Sequence, residues 1–331
     1  MNFVVSVIIF VIIVILYLHL VQQYKKGEDL EIYEMDYSNN KQLQEICELK
    51  QPVLFKFDNI EKTFFNGIRP DTLDSSYELK IKDIDDYYHE SKEHVGEHVK
   101  MTLFAFDKLM KSDVKSIYFT ENNDEFIEDT GLNNTFAKLD TFLKPQYSII
   151  LQTKYDIMFG SKNAYTPLRY HLNYRNFIAV TSGKISIKMT PYKSYKFLHP
   201  NKNYDNYEFY SDINVWKPQS RYLHEMEKLK FLEFEVQSGC IVYIPPYWWY
   251  SIKYTEEQTI LTSIVYNSVM NIISNTQDIV KYYIQQQNTK VKVISNKHNE
   301  NVEENQTKAT NDENIVEIPL MEPPTKITDN I

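Results

Sequence analysis

Between Tyr147 and Tyr266 the chain is written in short strand-like runs: SIILQ (148–152), FIAVT (177–181), ISIKM (185–189), FLEFEV (231–236), CIVYIP (240–245), WWYSIK (248–253) and TILTSIVY (259–266). Each is rich in β-branched and aromatic residues, and turn signals rather than long helical periods separate them. A series of this kind buries its apolar faces only against a second sheet or by closing on itself. It predicts an antiparallel barrel or sandwich, mainly β, with helices outside it.

The N-terminus obeys a different rule. Phe3 to Val21 reads FVVSVIIFVIIVILYLHLV, with no formally charged residue. As a helix it is about 28 Å long, roughly one hydrocarbon core. A secretory signal would want a basic start, a shorter apolar stretch and a small-residue cleavage site, and none is present. Residues 3–21 are therefore expected to be a transmembrane anchor. Lys25 and Lys26 follow at once, so the positive-inside rule places the C-terminal domain in the cytosol.

The bulk numbers narrow the function classes. A net charge of −9 over 331 residues argues against nucleic acid as a partner. Two cysteines, Cys47 and Cys240, form neither a disulfide framework nor a zinc pair. The expected organisation is the anchor (3–21), a juxtamembrane linker (22–30), one domain over 31–287 with its barrel core at about 147–268, and a disordered polar tail (288–331). Ile81 to Asp107, highly charged, is expected to be helical, and Met270 to Gln287 to form one helix. His94-Val95-Gly96-Glu97-His98 matches the inverted zinc-protease pattern, but Gly96 and the surrounding charge favour a solvated helical face.

Three blocks carry a resemblance. Residues 238–252, SGCIVYIPPYWWYSI, resemble the closing phrase "pGdvlfiPpyWwHhv" of the cupin-like family that includes JmjC demethylases and factor-inhibiting-HIF-type asparaginyl hydroxylases. Residues 165–191 are similar to its "tplHyDxxxNfxxqvxGxKrxxlfpP", and QPVLFKF (51–57) to its opening strand. The resemblance implies a double-stranded β-helix (cupin or jelly-roll barrel). In active members it also implies Fe(II) on two histidines and a carboxylate, with 2-oxoglutarate as co-substrate.

Placed by this resemblance without gaps, Asn176 stands seven residues before Gly183. The motif histidine then falls on Tyr170, the carboxylate on Leu172, the later histidine on Tyr250 and the 2-oxoglutarate anchor on Ile185. Pro245, Pro246, Trp248 and Trp249 remain as scaffold beside Asn176 and Gly183. In this register the ligand positions carry two phenols and an aliphatic side chain, a poor match for ferrous iron at neutral pH. The expectation is a non-catalytic barrel at a membrane, without metal or cofactor, that binds a protein segment or a small molecule. The alternative is a membrane-tethered Fe(II)/2-oxoglutarate oxygenase with non-standard ligands. It would use His171, with Asn173 in a slipped register or with further ligands such as His199, His224 or Asp212.

Overall fold

The computed structural model describes residues 3–89 and 95–287, so the expected tail at 288–331 lies outside the described residues, as does His94. The chain divides into Met1–Tyr282 and Tyr283–Ile331, the second contributing to the description only the end of its last helix.

The strands are β1 (Tyr33–Asp36), β2 (Val53–Lys56), β3 (Glu78–Asp83), β4 (Val99–Thr102), β5 (Tyr118–Thr120), β6 (Ile150–Phe159), β7 (Arg169–Tyr170) and β8 (Arg175–Ser182). They continue with β9 (Lys184–Thr190), β10 (Pro200–Asn203), β11 (Glu208–Ser211), β12 (Leu232–Gln237), β13 (Cys240–Tyr243), β14 (Trp249–Tyr254) and β15 (Ile260–Ser268). The α-helices are α1 (Phe3–Gln23), α2 (Asn40–Cys47), α3 (Lys62–Gly67), α4 (Asp85–Tyr88) and α5 (Leu103–Ser112). After them come α6 (Asp124–Asp129), α7 (Asn133–Leu143), α8 (Leu223–Lys228), α9 (Val269–Ser274) and α10 (Thr276–Gln286).

Two six-stranded sheets, β1-β2-β13-β8-β15-β6 and β10-β11-β7-β14-β9-β12, enclose the core, and β4-β3-β5 forms a small third sheet. From β6 to β9 and again from β12 to β15 the chain steps back and forth between the two large sheets, an arrangement consistent with a jelly roll. Every strand-like run of the sequence overlaps one of these strands. Gly183 turns β8 into β9 with φ +71°, and a Cβ there would stand 2.9 Å from Thr259 Cα.

FIAV lacks polar alternation because β8 is covered on both sides. Ile178 and Val180 face the space between the sheets, with Ile187, Val242 and Leu261. Phe177 and Ala179 face the opposite way, into a layer shared with Leu43 of α2, Phe64 of α3 and Leu139 of α7.

Three expectations are corrected. Ile81 to Asp107 is not one helix: it is the end of β3, the short α4, β4 and the start of α5. Alternation decides it, since Leu79 and Ile81 are buried on one face of a strand. Val95 to His98, the remaining part of the protease-like pattern, is a turn and loop before β4, with Gly96 at φ +83°. Met270–Gln287 is split into α9 and α10 at Asn275, whose side chain donates to the Leu172 and Asn271 carbonyls at 3.3 and 3.0 Å. A side chain competing for backbone carbonyls in this way ends a helix.

The segment 22–30 is docked on the domain, in place of the free linker its composition suggests. Gln22 Nε2 donates to Glu48 Oε2 (3.1 Å), Tyr24 OH to the Ser274 carbonyl (2.6 Å) and Lys193 Nζ to the Glu28 carbonyl (2.7 Å). The Lys26 ammonium lies 3.3 Å from the Tyr192 ring centroid and 4.8 Å from that of Tyr247. At Gly27 a Cβ would come within 1.9 Å of the Lys50 carbonyl oxygen and 3.3 Å of Trp248 Nε1. Only glycine passes there. Helix α1 itself buries no residue, and among the described residues it is the one helix long and apolar enough to cross a membrane.

Candidate functional site in the barrel

The site is built around the two-residue strand β7. Thr166 sets its register against β14: the Thr166 N–H donates to the Ile252 carbonyl (2.8 Å), and Thr166 Oγ1 accepts from the Ile252 N–H (3.0 Å). Arg169 then pairs with Tyr250 on one side and Tyr210 on the other, while Tyr170 pairs with Phe209. Side chains alternate along a strand, so Arg169 and Tyr170 must face opposite ways.

Tyr170 faces outward. It stacks on Phe209 (5.2 Å between centroids) and meets Trp249 edge-on (4.7 Å), in an outer cluster that also holds Leu172 and Tyr247. Tyr250 and Ile185 lie in the inner cluster. The expectation that Tyr170 and Leu172 share the barrel interior with Tyr250 is therefore corrected. The residues beside Tyr250 are Arg169, its guanidinium carbon 5.8 Å from the phenol centroid, and His171, its ring centroid 5.9 Å away.

The reason is one extra residue. Counted back from Asn176, the motif histidine lands on Tyr170; counted forward from Thr166-Pro167-Leu168, it lands on Arg169, and the carboxylate position on His171. The loop between His171 and Asn176 holds one residue more than the motif. The literal match at Thr166, Pro167, Leu168 and Tyr170 was the signal for the second count. Asn176 is tied to β13 and β15: its carbonyl accepts from the Ile244 N–H (2.9 Å) and its Oδ1 from Ser263 Oγ (3.2 Å). Pro245 and Pro246 turn β13 toward β14, and Trp248 Nε1 donates to the Lys50 carbonyl (3.0 Å).

Charge fills the interior beside Arg169. Its Nη2 lies 2.5 Å from Glu121 Oε2, and Glu121 Oε1 accepts from Lys82 Nζ at 2.9 Å. Lys82 Nζ donates in turn to Glu208 Oε1 (2.7 Å), whose Oε2 accepts from Tyr87 OH (2.8 Å). Two cations face two anions, and all four side chains are buried or nearly so. Burial pushes Glu121 upward, but Arg169 and Lys82 overcome it and hold it at about 2. Burial pushes Lys82 downward, but Glu121 and Glu208 hold it well above its ordinary value. Lys82, Tyr87, Glu121 and Glu208 come from β3, α4, the end of β5 and β11. No local spacing in the sequence connects them, and sequence reasoning missed all four.

His171 lies beside this set, next to Tyr250. Burial pushes its pKa down to about 3, with the Ile244 backbone opposing and Arg169 reinforcing the shift. Burial raises the Tyr250 phenol, with Arg169 opposing. Asn173, half-buried, follows in the loop, outside any strand. The other candidate ligands stay apart: His199 lies 3.7 Å from Glu225, His224 is exposed on α8, and Asp212 accepts from Asn201. Among the described residues no three His, Cys, Asp or Glu side chains gather to hold a metal.

Comparison with known proteins agrees with this architecture. The model of the cupin-like domain matches residues 39–272. JmjC domain-containing protein D of Dictyostelium discoideum is 24% identical over 177 residues, which cover 48% of this chain and 39% of that protein. The chain thus spans well under half the length of this relative.

Proposed function

From the premise that the chain belongs to the cupin-like domain family, of JmjC type, we propose that it is a membrane-anchored member lacking the Fe(II)/2-oxoglutarate site and acting as a binding or structural module. One observation carries the reading: the guanidinium of Arg169, ion-paired to Glu121, stands at the motif's first ligand position.

Donor chemistry supports it. A ferrous facial triad takes two imidazoles and a carboxylate, with positions left open for co-substrates. Here Arg169 cannot ligate and repels a cation, His171 offers one neutral imidazole, and Tyr250 is a phenol kept protonated by burial. Glu121 and Glu208 are engaged by Arg169 and Lys82. Ile185, fully buried at the anchor position, cannot pair with a carboxylate. The residues present do not fit iron or 2-oxoglutarate. A protein segment or small molecule is left as the partner. The length and apolarity of α1 support the anchor, and Lys25 and Lys26 support a cytosolic domain.

The test uses the full chain in detergent, with iron measured by mass spectrometry and succinate formation from 2-oxoglutarate followed in parallel. Iron far below one equivalent with no turnover is the expected result. Stoichiometric iron that is lost in His171→Ala would overturn the reading. Topology is tested separately in eukaryotic cells: the sequon Asn133-Asn134-Thr135 stays unmodified if the domain is cytosolic, and a glycan on Asn133 reverses the orientation.

A further inference from the structure

Large apolar side chains left in water are usually scattered singly. At the foot of α1 they gather. Tyr147, Ile149 and Leu151 are 77%, 77% and 66% exposed, alternating with Ser148 and Ile150, which turn inward. Tyr24, Leu49 and Ile273 are about half exposed.

Two bonded routes tie this group to the end of α1. The Ile149 carbonyl accepts from the N–H of Val269, the first residue of α9 (3.0 Å), and α9 packs against α1. The Ser274 carbonyl, at the last residue of α9, accepts from Tyr24 OH. On the other route Ser148 Oγ bonds Tyr174 OH (3.0 Å), which donates to Glu48 Oε1 (3.0 Å), and Glu48 Oε2 accepts from Gln22 of α1 (3.1 Å). Leu49 is the next residue after Glu48.

We propose that this collar is a second membrane contact: Tyr24, Leu49, Tyr147, Ile149, Leu151 and Ile273 enter the interfacial layer of the bilayer that α1 crosses. The inference rests on α1 being an anchor. Its occupant follows from continuity, since an apolar surface at the base of a spanning helix faces headgroups and the first acyl carbons. Tyr24 and Tyr147 supply the amphipathic aromatics that favour that depth. The opposite end of the domain is excluded by length: β6 runs about 30 Å from Ile150 to Phe159. Beyond Phe159, Gly160 bridges to Phe119 of β5, which follows the loop containing Val114.

The full chain carrying Cys240→Ser, with buried Cys47 retained, is reconstituted into phosphatidylcholine vesicles. A nitroxide is placed in turn at Ile149→Cys, Ile273→Cys, Val11→Cys in α1, and Val114→Cys, where the native side chain is 97% exposed. Oxygen and a water-soluble nickel chelate compete to broaden or relax each label. At 149 and 273, collisions with oxygen should exceed those with nickel several-fold, as at 11, and the order should reverse at 114. Lipid exposure at 11 with an aqueous signal at 149 sinks the collar and spares the anchor. A label at 149 shielded from both reagents means protein covers the patch, and this too overturns the proposal. An aqueous signal at 11 removes the anchor, and the collar with it.

Discussion

Arg169 and Arg175 lie six residues apart, both are buried or nearly so, and both are paired with a glutamate, yet they sit in opposite kinds of electrostatic site. Arg169 belongs to a closed set in which Lys82, Glu121 and Glu208 bring the charge to zero. Arg175, fully buried beneath the foot of α1, shares Glu48 with Lys50, so two cations face one anion. Its remaining donors go to Gln44 Oε1 (3.0 Å) and the Tyr174 carbonyl (3.1 Å). The difference follows from water. Glu48 is 38% exposed and Glu121 only 4%. A site that solvent reaches through one partner tolerates surplus charge; a site without that access must balance. Lys50 shows the strain of the open case: burial and then Arg175 lower its pKa to about 8, against the pull of Glu48.

The comparison can be broken by removing one carboxylate from each site. Glu121→Gln leaves Arg169 and Lys82 sharing Glu208, and should cost about 3–5 kcal/mol in denaturant unfolding of the full chain in detergent. Adding Arg169→Met restores the balance and should recover most of that loss. A double variant no more stable than Glu121→Gln would show that the set matters for packing and not for charge. Glu48→Gln at the foot of α1 should cost less, about 2 kcal/mol, because water screens the two cations it leaves behind. Equal costs at the two sites would erase the distinction.

Titration sharpens it, because the two sites respond on opposite sides of neutrality. His171 has a pKa of about 3 in the folded protein and 6.5 as its ordinary value. Below 6.5 the unfolded chain takes up a proton that the folded chain refuses, so stability falls as pH drops toward 3. His171→Leu should remove that component, and the gap between variant and wild type should widen by about 1.4 kcal/mol per pH unit. Lys50, about 8 folded against 10.5 ordinarily, works in the alkaline range. Between those values the unfolded chain keeps a proton that the folded chain has released, so its contribution rises with pH. Lys50→Met should abolish the rise, by about 1 kcal/mol between pH 8 and 9. A Lys50→Met profile parallel to wild type through this window would place the lysine in water.

The same contrast separates what was legible in the sequence from what was not. The barrel was readable because β8, β9, β13, β14 and β15 are continuous runs of the residues that strands select, and Gly183 and Pro245-Pro246 mark their corners. The apolar helix was readable from composition alone. Tyr250 and Ile185 lie in the inner cluster, on regular strands counted from nearby landmarks. Tyr170 and Leu172 were misplaced because one extra loop residue after His171 reverses every face of a strand with period two. The Lys82–Glu121–Arg169–Glu208 set was invisible for another reason: its members are brought together by tertiary contact between two sheets, and charge written in sequence does not name its partner. The docking of Gln22 to Glu28 was hidden likewise in a stretch whose composition reads as linker.

Gly27 adds a mechanical consequence. With the chain passing between the Lys50 carbonyl and the Trp248 indole, too tightly for a methyl group, the domain has no swivel where it leaves α1. Held in a bilayer, it keeps a single heading relative to the membrane normal. A partner in the same membrane would then meet the domain at one fixed height above the bilayer, whichever way it had turned about the membrane normal.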